Sequence, residues 1–90
     1  MNARRVDRIQ ALLESAFDPE SLDVEDDSHQ HAGHAGAEGG LGHFSVSIVS
    51  ATFNGMRMLA RHRAVYEALD DMMKTDIHAL AIDAVASDEL

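Results

Sequence analysis

The six histidines are the residues whose type and spacing most suggest chemistry. His29, His31, His34 and His43 fall within one glycine-rich stretch, while His62 and His78 stand apart. Neutral imidazole binds Zn, Cu, Fe and Ni. Histidines scattered on a loose loop preset no tetrahedral site, and no acid–histidine motif of a metalloenzyme accompanies them. A solvated, histidine-rich loop is the plain alternative. His62 lies on an apolar helical stripe between Arg61 and Arg63, where a half-buried histidine bonded to a backbone carbonyl is the bland reading. His78 enters a strand at a sheet edge, where a side chain stays accessible. A structural role is equally open there.

Other chemistries find less support. No Gly-x-Ser-x-Gly elbow or other triad signature is present. No phosphate-cradling glycine loop precedes a helix. Carboxylates that could act as acid–base pairs do not stand out from the acidic surface. Met56, Met58, Met72 and Met73 read as core filler rather than a ligand set. The chain has no cysteine, which excludes a disulfide, a thiol nucleophile and a thiolate ligand of its own. The net charge of -9 disfavours broad attachment to nucleic acid or an anionic membrane, although it leaves room for a local basic patch.

Ninety residues suit one domain, residues 1–90, with a small core. The first residues carry charge early and lack the apolar run of a signal peptide. No apolar stretch approaches the ~20 residues of a membrane span. A cytoplasmic protein without a membrane partner is the expectation.

The elements that must position the histidines follow from periodicity. Residues 3–17 read as a helix with Val6, Ile9, Leu13, Ala16 and Phe17 on one face, and Asp18-Pro19 stops it. Leu22-Asp23-Val24-Glu25 alternates as a short strand with acidic outward positions. Residues 27–43 break all periodicity and hold five of the six glycines, so they read as a loose loop. Phe44, Val46 and Ile48 alternate with Ser45, Ser47 and Val49 in the clearest strand. It forms a hairpin with the first. Phe53-Asn54-Gly55 signals a turn. A helical segment follows over 57–74, either continuous or broken into a short piece and a longer one. Its stripe is Met58, His62, Val65, Leu69 and Met72, widened by Leu59, Tyr66 and Met73. Arg57 and Arg61 point away from it together, and Asp70 pairs with Lys74. His78, Leu80, Ile82 and Ala84 then share one face of a last strand. The expected solution is α+β, a three-stranded sheet covered by helices on one face.

Phe53-x-Gly55, then Arg61-His62-Arg63-x-Val65-Tyr66, then His78-Ala79-Leu80-Ala81 together resemble the BolA family. Glu25-Asp26-Asp27-Ser28, His31 and His43-Phe44 match as well. The resemblance covers about residues 5–85. It implies a class II KH-like fold of order α-β-β-α-α-β. It also implies a partner, a monothiol glutaredoxin, and a heterodimer that can hold a [2Fe–2S] cluster. In the family the histidine of the C-terminal motif is a cluster ligand, here His78. A second ligand comes from the loop between the first two strands, at the position of His31. The glycine-rich loop is longer than usual, and Leu41-Gly42 replaces a common Ser or Thr, so His29 and His34 are possible substitutes.

The chemistry is consistent with the cysteine count. Two imidazoles can replace two cysteines on one iron, as in Rieske centres. A chain without cysteine would supply His31 and His78, while the partner's cysteine and a bound glutathione supply thiolates. Alone it would be a monomer without cofactor. A metal-free glutaredoxin adaptor is the next reading. A DNA-binding transcriptional regulator, using Arg57, Arg61 and Arg63 for phosphate contacts, is the third. Its support is reduced by the charge and by the lack of a Gly-x-x-Gly clamp loop. An independent enzyme ranks last.

Overall fold

A computed structural model of the chain describes residues 3–28 and 41–90. The elements are α1 (Ala3–Phe17), β1 (Ser21–Asp26), β2 (Gly42–Ser50), α2 (Met58–Ala68), α3 (Asp70–Thr75) and β3 (Ile77–Ala86). Short 3₁₀ turns follow β2 and β3. The fold is α+β, in the expected order.

In α1, Ile9, Leu13 and Phe17 are spaced by four and are all buried. The helix ends where proline demands. Asp18 takes a left-handed conformation, φ 44°, and donates its N–H to the Glu14 carbonyl at 3.0 Å. The Phe17 carbonyl then accepts from the buried Ser50 hydroxyl at 2.7 Å, which fixes α1 to the far end of β2.

The sheet order is β1-β2-β3, with β1 antiparallel and β3 parallel to the central strand. Leu22, Ile48 and Ala84 form one cross-sheet row, and Val24, Val46 and Ile82 form the next. These rows face the helices and build the core with Phe44, Val65, Leu69 and Met72. The other face carries Asp23, Glu25, Ser47, Ala81 and Asp83, all exposed. An antiparallel pair with one wet face explains the alternation in β1 and β2.

Two expectations about faces need correction. First, Gly42 pairs with Ile77, but His43 pairs with Ala79, so β3 has one extra residue at that point. The extra residue is His78. Ile77 and Leu80 both turn toward the core, three residues apart, which strict alternation forbids and a β-bulge permits. His78 therefore leaves the face of Leu80, Ile82 and Ala84.

Second, the buried stripe of α2 is rotated from the expected one. Met58, Leu59 and Tyr66 are exposed, at 53%, 64% and 40%. Val65 is buried as expected, and Arg61 is buried beside it. Leu69 breaks the helical segment while staying in the core, and α3 continues with Met72 buried. The break makes the two-piece helix a long piece followed by a short one.

Gly55 sits in the turn before α2 at φ +79°, a conformation that an L side chain rarely adopts. Nothing crowds its Cα, so the backbone angle alone explains glycine there.

Candidate metal and partner site

His43 was expected at the end of the loop and instead lies in β2, one residue inside its start. Its backbone is clamped on the loop side. The His43 N–H donates to the Ser28 hydroxyl at 3.0 Å, and its carbonyl accepts from Asp27 N–H at 2.7 Å. On the other side, Gly42 N–H donates to the Asp76 carbonyl at 2.9 Å, immediately before β3. The loop root, the start of β2 and the start of β3 thus meet at one corner of the sheet.

Glycine is required at that corner for space. A Cβ on Gly42 would lie 2.6 Å from the ring of Phe44, which is itself buried, and 3.1 Å from the Ser28 hydroxyl. Gly42→Ala is expected to destabilise the domain by about 1–3 kcal/mol, the usual range for overpacking. Urea denaturation checks this; an unchanged midpoint would mean that Phe44 can move aside.

Asp76 anchors the corner to α1. Its carboxylate accepts from the Thr75 hydroxyl at 2.5 Å and from Arg5 Nε at 2.9 Å, with Arg8 at 3.6 Å. The Thr75 bond and then the Arg5 bond hold it below the usual carboxylate range, against the opposing effect of burial.

The bulge sends His78 out beside His43. Their ring centroids are 5.0 Å apart with planes inclined at 57°. His43 is half-buried and His78 exposed. Two imidazoles this close can turn one nitrogen each toward a shared ion. Among the described residues no group of three or more His, Asp or Glu could hold a metal. The pair alone offers at most two donors.

His29, His31 and His34 lie outside the described residues. His62 is half-buried on α2.

The expected basic patch is only partly a surface. Arg57 and Arg63 are exposed, but Arg61 is buried and points inward. Its Nε donates to the Met56 carbonyl at 3.0 Å and its Nη1 to the Ala84 carbonyl at 3.1 Å. Nη1 and Nη2 also grip the Glu89 carboxylate at 2.7 and 3.0 Å. Arg61 is a structural link and leaves the patch.

The Arg61 guanidinium, aided by the Ala86 N–H, lowers the Glu89 carboxyl to about 2 from 4.5. A depressed carboxylate stabilises the fold in full above its unfolded pKa and loses that contribution as pH falls toward the folded one. Melting temperature should therefore fall between about pH 4.5 and 2. Glu89→Gln should melt lower at neutral pH and converge on the wild type near pH 2. Parallel curves across that window would show that the pair contributes nothing in acid.

The sequence pattern of the BolA family, described as BolA-like protein, matches residues 13–89. The chain belongs to the BolA family. It is 46% identical over 82 residues to the SufE-like protein 1, chloroplastic/mitochondrial, of Arabidopsis thaliana, covering 86% of this chain and 22% of the relative. Against the DNA-binding transcriptional regulator BolA of Escherichia coli, identity is 43% over 76 residues, covering 84% of this chain and 70% of the relative. The solved BolA domain of SufE1 from Arabidopsis thaliana superimposes with a TM-score of 0.84 at 43% identity, covering 96% of this chain and 95% of that one. Curated relatives matched by the chain are often longer: it spans 22% of the first above and 51% of Protein BOLA1, chloroplastic, of the same plant. BolA-family membership and the shared α+β fold are thereby established. The sequence signal for the corner was the combination of His43-Phe44 with His78-Ala79-Leu80-Ala81. Neither half alone announces that the two rings meet.

Proposed function

We propose that this BolA-family chain is a non-enzymatic partner of a monothiol glutaredoxin, sharing with it a [2Fe–2S] cluster used in cluster assembly, trafficking or iron regulation. The observation that carries the reading is the His43–His78 ring pair at an exposed sheet corner. His78 is the proposed fixed ligand. The second imidazole is drawn from His31, with His29 and His34 as substitutes, or from His43. When bound, the cluster would supply a one-electron and transferable iron–sulfur unit.

This chain's part is to present neutral imidazole. The bulge turns His78 outward, His43 packs against its ring, and the clamped strand ends hold the two in place. With no cysteine, the chain cannot offer thiolate, so the glutaredoxin cysteine and glutathione complete the donor set. The chain alone is proposed to be a monomer without cofactor. Among the described residues no helix is long and apolar enough to cross a membrane, and the cytoplasm is the proposed compartment.

The test mixes the protein with a cluster-loaded monothiol glutaredoxin and follows visible absorption and circular dichroism. A new spectrum distinct from that of the glutaredoxin homodimer is expected. Complex formation with an unchanged spectrum would select the metal-free adaptor instead. A DNA-binding role is favoured by the Escherichia coli and Haemophilus influenzae relatives, each called DNA-binding transcriptional regulator BolA. With Arg61 buried, two exposed arginines remain on that face, few for phosphate-driven affinity.

A further inference from the structure

The helical layer carries a surface that the histidine corner does not use. An open groove of about 460 Å³ runs along one flank of α2, lined by Met56, Arg57, Leu59, Ala60, Arg63, Ala64 and Glu67. Leu59 projects there at 64% exposure, more than any other large apolar residue among the described residues except Leu90. Small side chains at Ala60 and Ala64 keep the floor low.

Charge sets the occupant. Four of the seven cations are paired: Arg5 and Arg8 with Asp76, Arg61 with Glu89, and Lys74 with Asp70. Arg4, Arg57 and Arg63 are in no ion pair among the described residues, and two of these three border the groove. In a chain of net charge -9 this is a local positive rim around an apolar floor. Such a rim steers an acidic partner to one place on an otherwise repelling surface. Nucleic acid fits less well, because two arginines beside leucine and methionine neutralise few phosphates.

We propose that this groove docks an acidic, amphipathic segment of a partner protein, with apolar side chains on Leu59, Ala60 and Ala64 and carboxylates on Arg57 and Arg63. The two arginines are six residues apart, about 9 Å along a helix axis. A helical partner would match them with acids six or seven residues apart. Glu67 lies at the other end of the groove and excludes a third acid there. The groove is in the helical layer, whereas His43 and His78 project from the opposite side of the sheet. Docking here is therefore separate from cluster ligation, and either assignment can fail without the other.

The probe is a synthetic amphipathic helical peptide of about 15 residues, with leucines on one face and glutamates at the stated spacing. It is titrated into isotope-labelled protein and followed by amide chemical shifts. Shifts should concentrate at Leu59, Ala60 and Ala64 and spare His78. Arg57→Glu with Arg63→Glu should weaken binding at least about ten-fold, and a lysine version of the peptide should prefer that variant. Leu59→Asp should weaken it similarly; the residue is exposed, so the fold tolerates the change. Shifts elsewhere, or variant affinities within about two-fold of wild type, would overturn the proposal. So would a short DNA duplex that shifts the same residues more tightly than the peptide with a steep salt dependence, since the groove would then be a nucleic-acid surface.

Discussion

His78→Ala is expected to abolish the distinctive spectrum of the proposed mixed cluster while leaving the domain folded. That is the largest functional effect expected here. His78 is exposed and is the extra residue of a bulge, and its ring rests on that of His43 outside the core, so its side chain supports no core packing. Shortening it costs the fold little. Its loss removes a proposed ligand. Outer-shell partners of metal ligands are already worth about 10–100-fold in affinity, so a ligand itself should exceed about 10²-fold. Ligation needs neutral imidazole, and acid should oppose cluster binding in the wild type.

The second ligand separates by single replacements. His31→Ala should weaken the cluster, with partial retention where His29 or His34 steps in. If His31→Ala leaves the spectrum intact and His43→Ala destroys it, the ring pair seen in the structure is the ligand pair. An adaptor without metal would keep its glutaredoxin affinity in every variant. An unchanged mixed-cluster spectrum in the His31→Ala, His78→Ala double variant would sink the assignment of both.

The contrast between what the residues announce and what they conceal has physical causes. The strand at 44–48 was legible because Phe44, Val46 and Ile48 alternate against a wet face, a pattern local to one segment. The end of α1 was legible because proline acts on its own neighbour. The bulge at His78 was not, since strand register is settled between segments that are distant in sequence. Simple alternation placed His78 with Leu80; the pairing of Gly42 with Ile77 and His43 with Ala79 moved it. The meeting of His43 with His78 follows from that same shift and was equally hidden. Arg61 misled for another reason. A guanidinium counts as surface in any hydrophobic pattern, although its long stem can cross a core when its five donors are met.

Arg61→Ala should be the most destabilising single replacement on α2. Arg61 is 5% exposed and donates to two carbonyls, those of Met56 and Ala84, and to both oxygens of Glu89. Those contacts join three parts of the chain: the turn before α2, the last residues of β3 and the C-terminal 3₁₀ turn. Removing the side chain opens a space beside the core and strips donors from the Met56 and Ala84 carbonyls. It also frees the Glu89 carboxylate, which then holds the C-terminal turn only through the Ala86 N–H. A fall in melting temperature on the order of 10 °C is expected for a domain of this size. Arg61→Lys should recover little, because an ammonium cannot span a bidentate carboxylate and two carbonyls at once. Calorimetry decides the matter. If Arg61→Ala melts with the wild type and binds DNA measurably less, then Arg61 serves the surface after all and its inward bonds are incidental to the fold.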